Sequence, residues 1–298
     1  DKSLALGSVM AGGVLGEIIP PSIIMIIFAY INKLSIARLF LGGIGPGLLT
    51  AVLFAIYILL RCYLQPHLAP VSAEQVTWKT RLISLREILP PVFLIIAVLG
   101  SILTGLATPV EASSIGAIGT LVICIVYRRF TWKGLADACR ENLKITCMVM
   151  WIMIGANMFR VLLTGAGVQE MLLDLVNGME VNRWFIIIAM QILLIIFGMV
   201  MDDFALVVIC SPIFLPIVVA LGFDPLWFAI IFILNMQMAL LTPPFGWALI
   251  LMRGLAPPGV NTKDIWMSVP PFAAVQLLML IITMLFPPLA TWLPGKIM

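Results

Sequence analysis

The stretch Asn235-Met236-Gln237-Met238-Ala239-Leu240-Leu241-Thr242-Pro243-Pro244-Phe245-Gly246-Trp247 lies inside an apolar run from Leu226 to Met252. That run is long enough to cross a bilayer, yet two adjacent prolines interrupt it midway. Neither Pro243 nor Pro244 has an N–H to donate, and their rings exclude the carbonyls of Ala239 and Leu240, so an α-helix cannot continue through them. Thr242 is pushed out of the helical region by the proline after it. The expectation is a half-helix ending near Ala239 to Thr242 with free carbonyls, and a second beginning at the prolines with free N–H groups from Phe245 onward. Free carbonyls suit a cation, and free N–H groups suit an anion. In lipid, such backbone is tolerated only where protein buries it or a cavity meets it. The break is therefore the first candidate binding site.

A second segment repeats this logic. Leu4 to Tyr30 is apolar but broken by Gly12-Gly13, Gly16 and then Pro20-Pro21-Ser22. Pro20 and Pro21 release the carbonyls of Gly16 and Glu17, and Ser22 offers a hydroxyl at a new helix start. Paired Gly/Pro-broken segments in two halves of a chain point to an inverted-repeat secondary transporter with its site between them.

Composition agrees. The 298 residues are 62% hydrophobic and only 10% charged, with a mean hydropathy of +1.17, far from the soluble average of about a quarter charged. The chain reads as an all-α integral membrane protein. Its net charge of +3 is spread over loops, which excludes nucleic acid as a partner. Cys62, Cys124, Cys139, Cys147 and Cys210 form no CxxC pair and read as buried small hydrophobes. The sole histidine, His67, falls in a polar loop, against zinc or Ser-His-Asp chemistry.

Phe40 to Leu64 reads as a span whose "GGIGPG" permits close helix packing. A basic loop to Glu87 follows, with Lys79, Arg81 and Arg86. Ile88 to Tyr127 is apolar except at Thr104 to Glu111, and Arg128 to Lys144 beyond it is basic again. Basic flanks on both sides put both in the cytoplasm. The segment then goes in and back, either as two full spans or as a re-entrant hairpin with its tip at Gly105 to Glu111, the favoured reading. Met148 to Leu163 is the next span, followed by an acidic loop with Glu170, Asp174 and Glu180. Trp184 to Met201 spans again and ends at Asp202-Asp203. Phe204 to Leu221 carries Pro212 and Pro216 and is expected to be bent or broken. After the 226–252 broken helix comes a short polar loop with Lys263 and Asp264, then a final span from Trp266 to Leu293.

The segments "LALGSVMAGGVLGEIIPPS" (4–22), "SIARLFLGGIGPGLL" (35–49), "GLATPVEASSIGAIG" (105–119), "LGFDPLWFAIIFILNMQMALLTPPFGWALILMRGLAPP" (221–258) and "PPFAAVQLLMLIITMLFPPLATWLP" (270–294) closely resemble the large membrane subunit of tripartite ATP-independent periplasmic (TRAP) transporters. The resemblance runs end to end. Family members are longer at the N-terminus, so the chain looks like roughly the last two thirds of one. It implies a sodium-driven importer of organic acid anions in the bacterial inner membrane, with Na+ as coupling ion and no other cofactor. It also implies a small (DctQ-like) membrane subunit and a periplasmic (DctP-like) substrate-binding protein as partners. The insert at 63–78 looks most like the branch associated with mannitol, chloroaromatic compounds and monocarboxylates.

The resemblance further implies an inverted-repeat, elevator-type fold in which hairpin tips meet unwound helices at the sodium sites. Carried onto this chain, the sodium-binding candidates are Gly16, Ser22, Gly105, Thr108, Leu241, Thr242 and Gly246. The substrate-binding candidates are Ser22, Thr108, Thr242 and Arg160, and the helix breaks are Pro20, Pro21, Pro109, Pro243 and Pro244. The expected division is 1–35 (end of the first repeat, transport), 36–87 (scaffold span and loop), 88–127 (hairpin, transport), 128–264 (remaining second-repeat spans) and 265–298 (C-terminal scaffold span). The first repeat's own hairpin tip does not occur in the sequence, so only one complete sodium cage is expected and the lone chain is not expected to transport.

Glu17 departs from the family, which carries an apolar residue there more often. A carboxylate in a membrane helix costs roughly 2.5–3.5 kcal/mol on insertion scales, so it faces a cavity or a partner, either as a cation or proton ligand or in a structural pair. Asp202 and Asp203 are either a solvated helix end or a coupling site. Glu111 is expected to cap backbone N–H groups rather than bind sodium. Asn157 and Arg160, one turn apart, are either an internal pair or a carboxylate receptor. No GxxxxGK[ST] pattern occurs, against ATP coupling. The other classes are a binding-protein-independent sodium/dicarboxylate symporter, a non-transporting membrane scaffold, and an intramembrane metal-dependent enzyme built on Asp202-Asp203. The enzyme lacks a second acidic cluster.

Overall fold

The computed structural model describes residues 2–68, 78–168, 170, 171, 174, 178, 181–243, 246–257 and 259–297, with 78–87 as backbone alone. Pro244, Phe245 and Glu180 lie outside them, as does most of the 63–78 insert. The described residues are helical with no strand, and five helices are long and apolar enough to cross a membrane by length and composition. The chain divides into two compact units, Asp1–Ala69 with Trp151–Met298, and Pro70–Met150.

In the first unit, α1 (Lys2–Val14) passes into a 3₁₀ turn (Leu15–Glu17), and after the prolines α2 (Ile23–Asn32) begins. Ser22 is its N-cap, accepting the Met25 N–H at 3.4 Å. Helix α3 (Ile36–Leu64) runs beside this break. A methyl on Gly43 would stand 2.5 Å from the Ile18 carbonyl, and one on Gly45 2.6 Å from that of Leu289. The "GGIGPG" run therefore lets α3 lie directly on backbone, as small residues do in membranes.

Helix α7 (Arg183–Gly198) and α8 (Asp203–Ala220) flank the central helix α9 (Pro225–Leu241), which is buried along almost its whole length. Asp224 caps α9 by accepting the Leu226 and Trp227 N–H groups at 2.6 and 3.2 Å, with Pro225 in the first turn, where no N–H is needed. Lipid tails are as apolar as a protein interior, so packing and hydrogen bonds hold such helices together. Here the Asn235 amide donates to the Gln191 carbonyl (2.9 Å) and side-chain oxygen (2.8 Å), and the Trp227 indole donates to the Thr283 carbonyl (2.8 Å). Beyond the second break come α10 (Trp247–Leu255), α11 (Thr262–Ser268), α12 (Pro270–Leu285) and α13 (Pro288–Ile297).

The second unit contains α4 (Trp78–Leu103) packed against α5 (Pro109–Val126), joined by a tight turn with Gly105 at φ +72°. Thr108 and Glu111 form a capping box. The Thr108 N–H and hydroxyl both donate to Glu111 Oε2 (2.7 and 2.8 Å), and the Glu111 N–H donates to Thr108 Oγ1 (3.3 Å). Glu111 thus caps, as expected.

Several expectations need correction. Helix α8 is unbroken through Pro212 and Pro216, its sides held by α2, α7 and α9. The span expected from Met148 starts earlier, because α6 (Trp132–Gly165) begins at Trp132 and takes in most of the basic stretch. Pairs at i,i+3 support its first turns: Arg140 with Asp137 (3.7 Å) and Lys144 with Glu141 (2.6 Å). Glu170 and Asp174 are helical too. Lys263 and Asp264 belong to α11, where Asn261 and Asp264 cap each other's backbone. The final span is divided near Val269 and Phe286, each followed by a proline. Of the cysteines, only Cys210 is buried, while Cys139 and Cys147 are exposed.

Candidate functional site

The two broken helices meet. The 3₁₀ turn packs on α9, and α1 packs on both α9 and α10. One apolar cluster clamps them, with Leu6, Met10 and Val14 of α1 against Leu241, Leu249 and Met252 of the second break. Phe272 closes it, edge to face with Phe54 (5.7 Å) and Tyr57 (5.1 Å). The site's position is therefore set by packing outside it.

At the second break, α9 ends at Leu241 with Thr242 extended (φ −92°, ψ 126°), the conformation its following proline favours. The Thr242 N–H reaches the Ala239 carbonyl at 3.0 Å, and its hydroxyl donates to the Met238 carbonyl at 2.7 Å. The hydroxyl oxygen keeps its lone pairs for another partner. The second half-helix begins at Trp247, slightly later than the prolines suggest, with Gly246 as an N-cap that contributes no side chain. A methyl at Gly246 would lie 2.6 Å from the Leu240 oxygen and 3.0 Å from the Thr242 oxygen. Two carbonyl oxygens thus converge on a place that only a residue without Cβ leaves open. A hard monovalent cation fits such an all-oxygen set.

A cavity of about 370 Å³ lies against this break, lined by Gly16 and Glu17 on one side and Leu240, Trp247 and Ala248 on the other. A smaller one of about 180 Å³ shares Leu240 and Trp247 and is lined also by Gly198, Asp202 and Asp203. Of the sequence candidates, Gly16, Leu241, Thr242 and Gly246 are gathered in this region. Ser22 is 3% exposed and commits its hydroxyl to capping α2. Gly105, Thr108 and Pro109 form the tip of the hairpin in the other unit. Arg160 stands elsewhere. Its guanidinium donates to Asn157 (3.1 Å), and it lines a separate cavity of about 910 Å³ with Lys33, Asn32, Pro212 and Pro216. Sequence reasoning missed that Glu17 lines the larger cavity while Asp202 and Asp203 line the smaller one, both beside Leu240 and Trp247, since no local pattern joins residues so far apart in the chain.

Comparison with known proteins identifies the family. The family model described as "Tripartite ATP-independent periplasmic transporter, DctM component" matches residues 1–289. The C4-dicarboxylate TRAP transporter large permease protein DctM of Pseudomonas aeruginosa is 32% identical, over 99% of this chain and 68% of its own length. The 2,3-diketo-L-gulonate TRAP transporter large permease protein YiaN of Escherichia coli is 30% identical, over 96% of this chain and 66% of its own. The isethionate TRAP transporter permease protein DctMQ of Oleidesulfovibrio alaskensis is 30% identical, over 99% and 46% respectively. With a family model matched along nearly all of its length, the chain belongs to the DctM components of tripartite ATP-independent periplasmic transporters.

Proposed function

We propose that this chain carries part of the ion and substrate machinery of a sodium-driven importer of organic acid anions, delivered by a DctP-like periplasmic binding protein and assisted by a DctQ-like small subunit. As a DctM component it is a multi-pass inner-membrane transport protein and not an enzyme. The observation that carries the reading is the pair of broken helices packed together, with the Leu240 and Thr242 oxygens converging on Gly246 beside a cavity. The names of the relatives supply the substrate class, since a C4-dicarboxylate, a diketo-gulonate and isethionate are all organic acid anions. The last relative's name joins M and Q components, which supports a DctQ-like partner here.

In this reading Gly16, Leu241, Thr242 and Gly246 provide the oxygens that hold sodium where the two breaks meet. The substrate carboxylate is received at the second break by the Thr242 hydroxyl and by the half-helix N-terminus that follows it. Each sodium ion entering down a 100 mV potential contributes roughly 2.3 kcal/mol, so two or more can drive uptake of an anion without ATP. The fold is an inverted repeat of elevator type. Segments 1–35 and 88–127 form the moving part with the broken helix of 128–264, and the spans of 36–87 and 265–298 the fixed scaffold. Uptake into proteoliposomes holding the complete transporter tests this. It is expected to require both a sodium gradient and added binding protein, and to fall in Thr242→Ala. Uptake indifferent to the binding protein would favour a dicarboxylate symporter instead.

A further inference from the structure

Helices α7 and α12 each pack against α9, yet a groove of about 360 Å³ runs between them. Its wall is apolar throughout, with Trp184, Ile192 and Ile195 on one side and Leu277 and Ile281 on the other. Gln191 also lines it, but its side-chain oxygen turns inward to the Asn235 amide (2.8 Å), and no polar atom faces the groove. At the Trp184 end the surface changes character. Trp184 meets Phe223 and Trp227 edge to face (5.1 and 5.9 Å), and the Arg183 guanidinium lies over Phe223 (5.0 Å). The Trp227 indole, bonded to the Thr283 carbonyl (2.8 Å), sets this aromatic group level with the end of α12. Aromatic rings of this kind gather at the headgroup level of a bilayer. Arg183 is exposed, and among the described residues no ion pair includes it. From that level the groove runs inward. At 1.5 Å per residue, Trp184 to Ile195 covers roughly 16 Å, close to half of the ~30 Å hydrocarbon core. The groove is thus as deep as one leaflet, apolar along its length and positive at its mouth. A phospholipid has the complementary form, with a phosphate at the interface that an arginine can hold through two N–H groups and a chain that reaches the midplane. The chain also supplies the contacts that the walls of a bare groove forfeit.

We propose that the groove between α7 and α12 is a phospholipid site, with one acyl chain lying between the Ile192 and Ile281 sides and the phosphate held by Arg183. The chain wedges α7 against α12 over their common neighbour α9. This site is independent of the ion-binding reading of the breaks, and its failure would leave that reading untouched.

The test is native mass spectrometry of the complete transporter, stripped in dodecyl maltoside and titrated with dioleoylphosphatidylglycerol. Three variants are compared with wild type: Ile192→Trp, which fills the groove, Arg183→Gln, and Leu278→Trp on exposed surface outside the groove. Wild type is expected to keep one lipid tightly. Ile192→Trp should lose that lipid, and Leu278→Trp should behave as wild type. Arg183→Gln should need at least about tenfold more lipid for half-saturation, because a charge-assisted bond is lost. Melting curves in lipid-free detergent separate loss of the site from loss of the fold. Ile192→Trp is expected to melt no lower than wild type there, and to gain less when lipid is added. Equal numbers of lipids kept by wild type and Ile192→Trp would mean an unselective annulus and overturn the proposal. An unchanged titration in Arg183→Gln, with dodecyl chains competing as well as lipid, makes the groove a general apolar slot and also overturns it. So does a wild type that keeps no lipid while Ile192→Cys crosslinks to another polypeptide, since protein then fills the groove.

Discussion

Pro20-Pro21 and Pro90-Pro91 are the same dipeptide in apolar surroundings, but α1 gives out before the first pair while α4 runs straight through the second. Both pairs remove two backbone donors and crowd the carbonyls four residues back. What differs is the replacement on offer. Around Pro20-Pro21 the Ile18 and Ile19 N–H groups turn back to the Leu15 carbonyl (3.2 and 2.9 Å), and Ser22 caps the next helix. Around Pro90-Pro91 the neighbours are Ile88, Leu89, Val92 and Phe93, none of which can cap a helix start. The second break follows the first pattern, with Thr242 closing on Ala239 and Met238 and Gly246 opening α10. Prolines weaken a membrane helix, and polar or glycine neighbours decide whether it parts.

The largest effect that sharpens this contrast is expected at Gly246. Gly246→Ala places a methyl against two carbonyl oxygens and should reduce sodium-dependent uptake by at least about tenfold, the equivalent of roughly 1.4 kcal/mol. Uptake near wild type would show that the converging oxygens have no role. Next, Pro90→Ala/Pro91→Ala should raise thermal stability, by at most about 3 kcal/mol for each interior proline removed, with uptake unchanged. A loss of uptake would mean that α4 needs its prolines as α1 and α9 need theirs. Ser22→Ala should lower stability by about 1 kcal/mol as an N-cap is lost, and Ser22→Gly by a few tenths. Melting curves of the two variants check the order. The smallest effect belongs to Glu111→Ala, which should only speed amide exchange in the first turn of α5, because its carboxylate serves the exposed backbone of Thr108.

Both breaks were legible in the sequence because proline chemistry is local and Ser22, Thr242 and Gly246 stand within two residues of it. The start of α5 was legible for a similar reason, Thr108 and Glu111 having the spacing of a capping box. The continuity of α8 through Pro212 and Pro216 was not, since the helices beside it hold it together and no local residue records them. The early start of α6 was hidden by charge, because an apolar run marks only its later turns and the i,i+3 pairs of its earlier ones carry no apolar signal. The placing of Arg160 beside Lys33 rather than at the break depends on tertiary packing alone.

The most direct test of the account is sodium-driven uptake by the complete transporter in proteoliposomes, with its binding protein and a panel of labelled organic acids. Wild type is set beside Thr242→Ala and Pro243→Ala/Pro244→Ala. The account predicts uptake that needs sodium and binding protein in the wild type and is lost in both variants. Uptake that ignores sodium, or survives both substitutions, would contradict it and reduce the break to a kink in the packing.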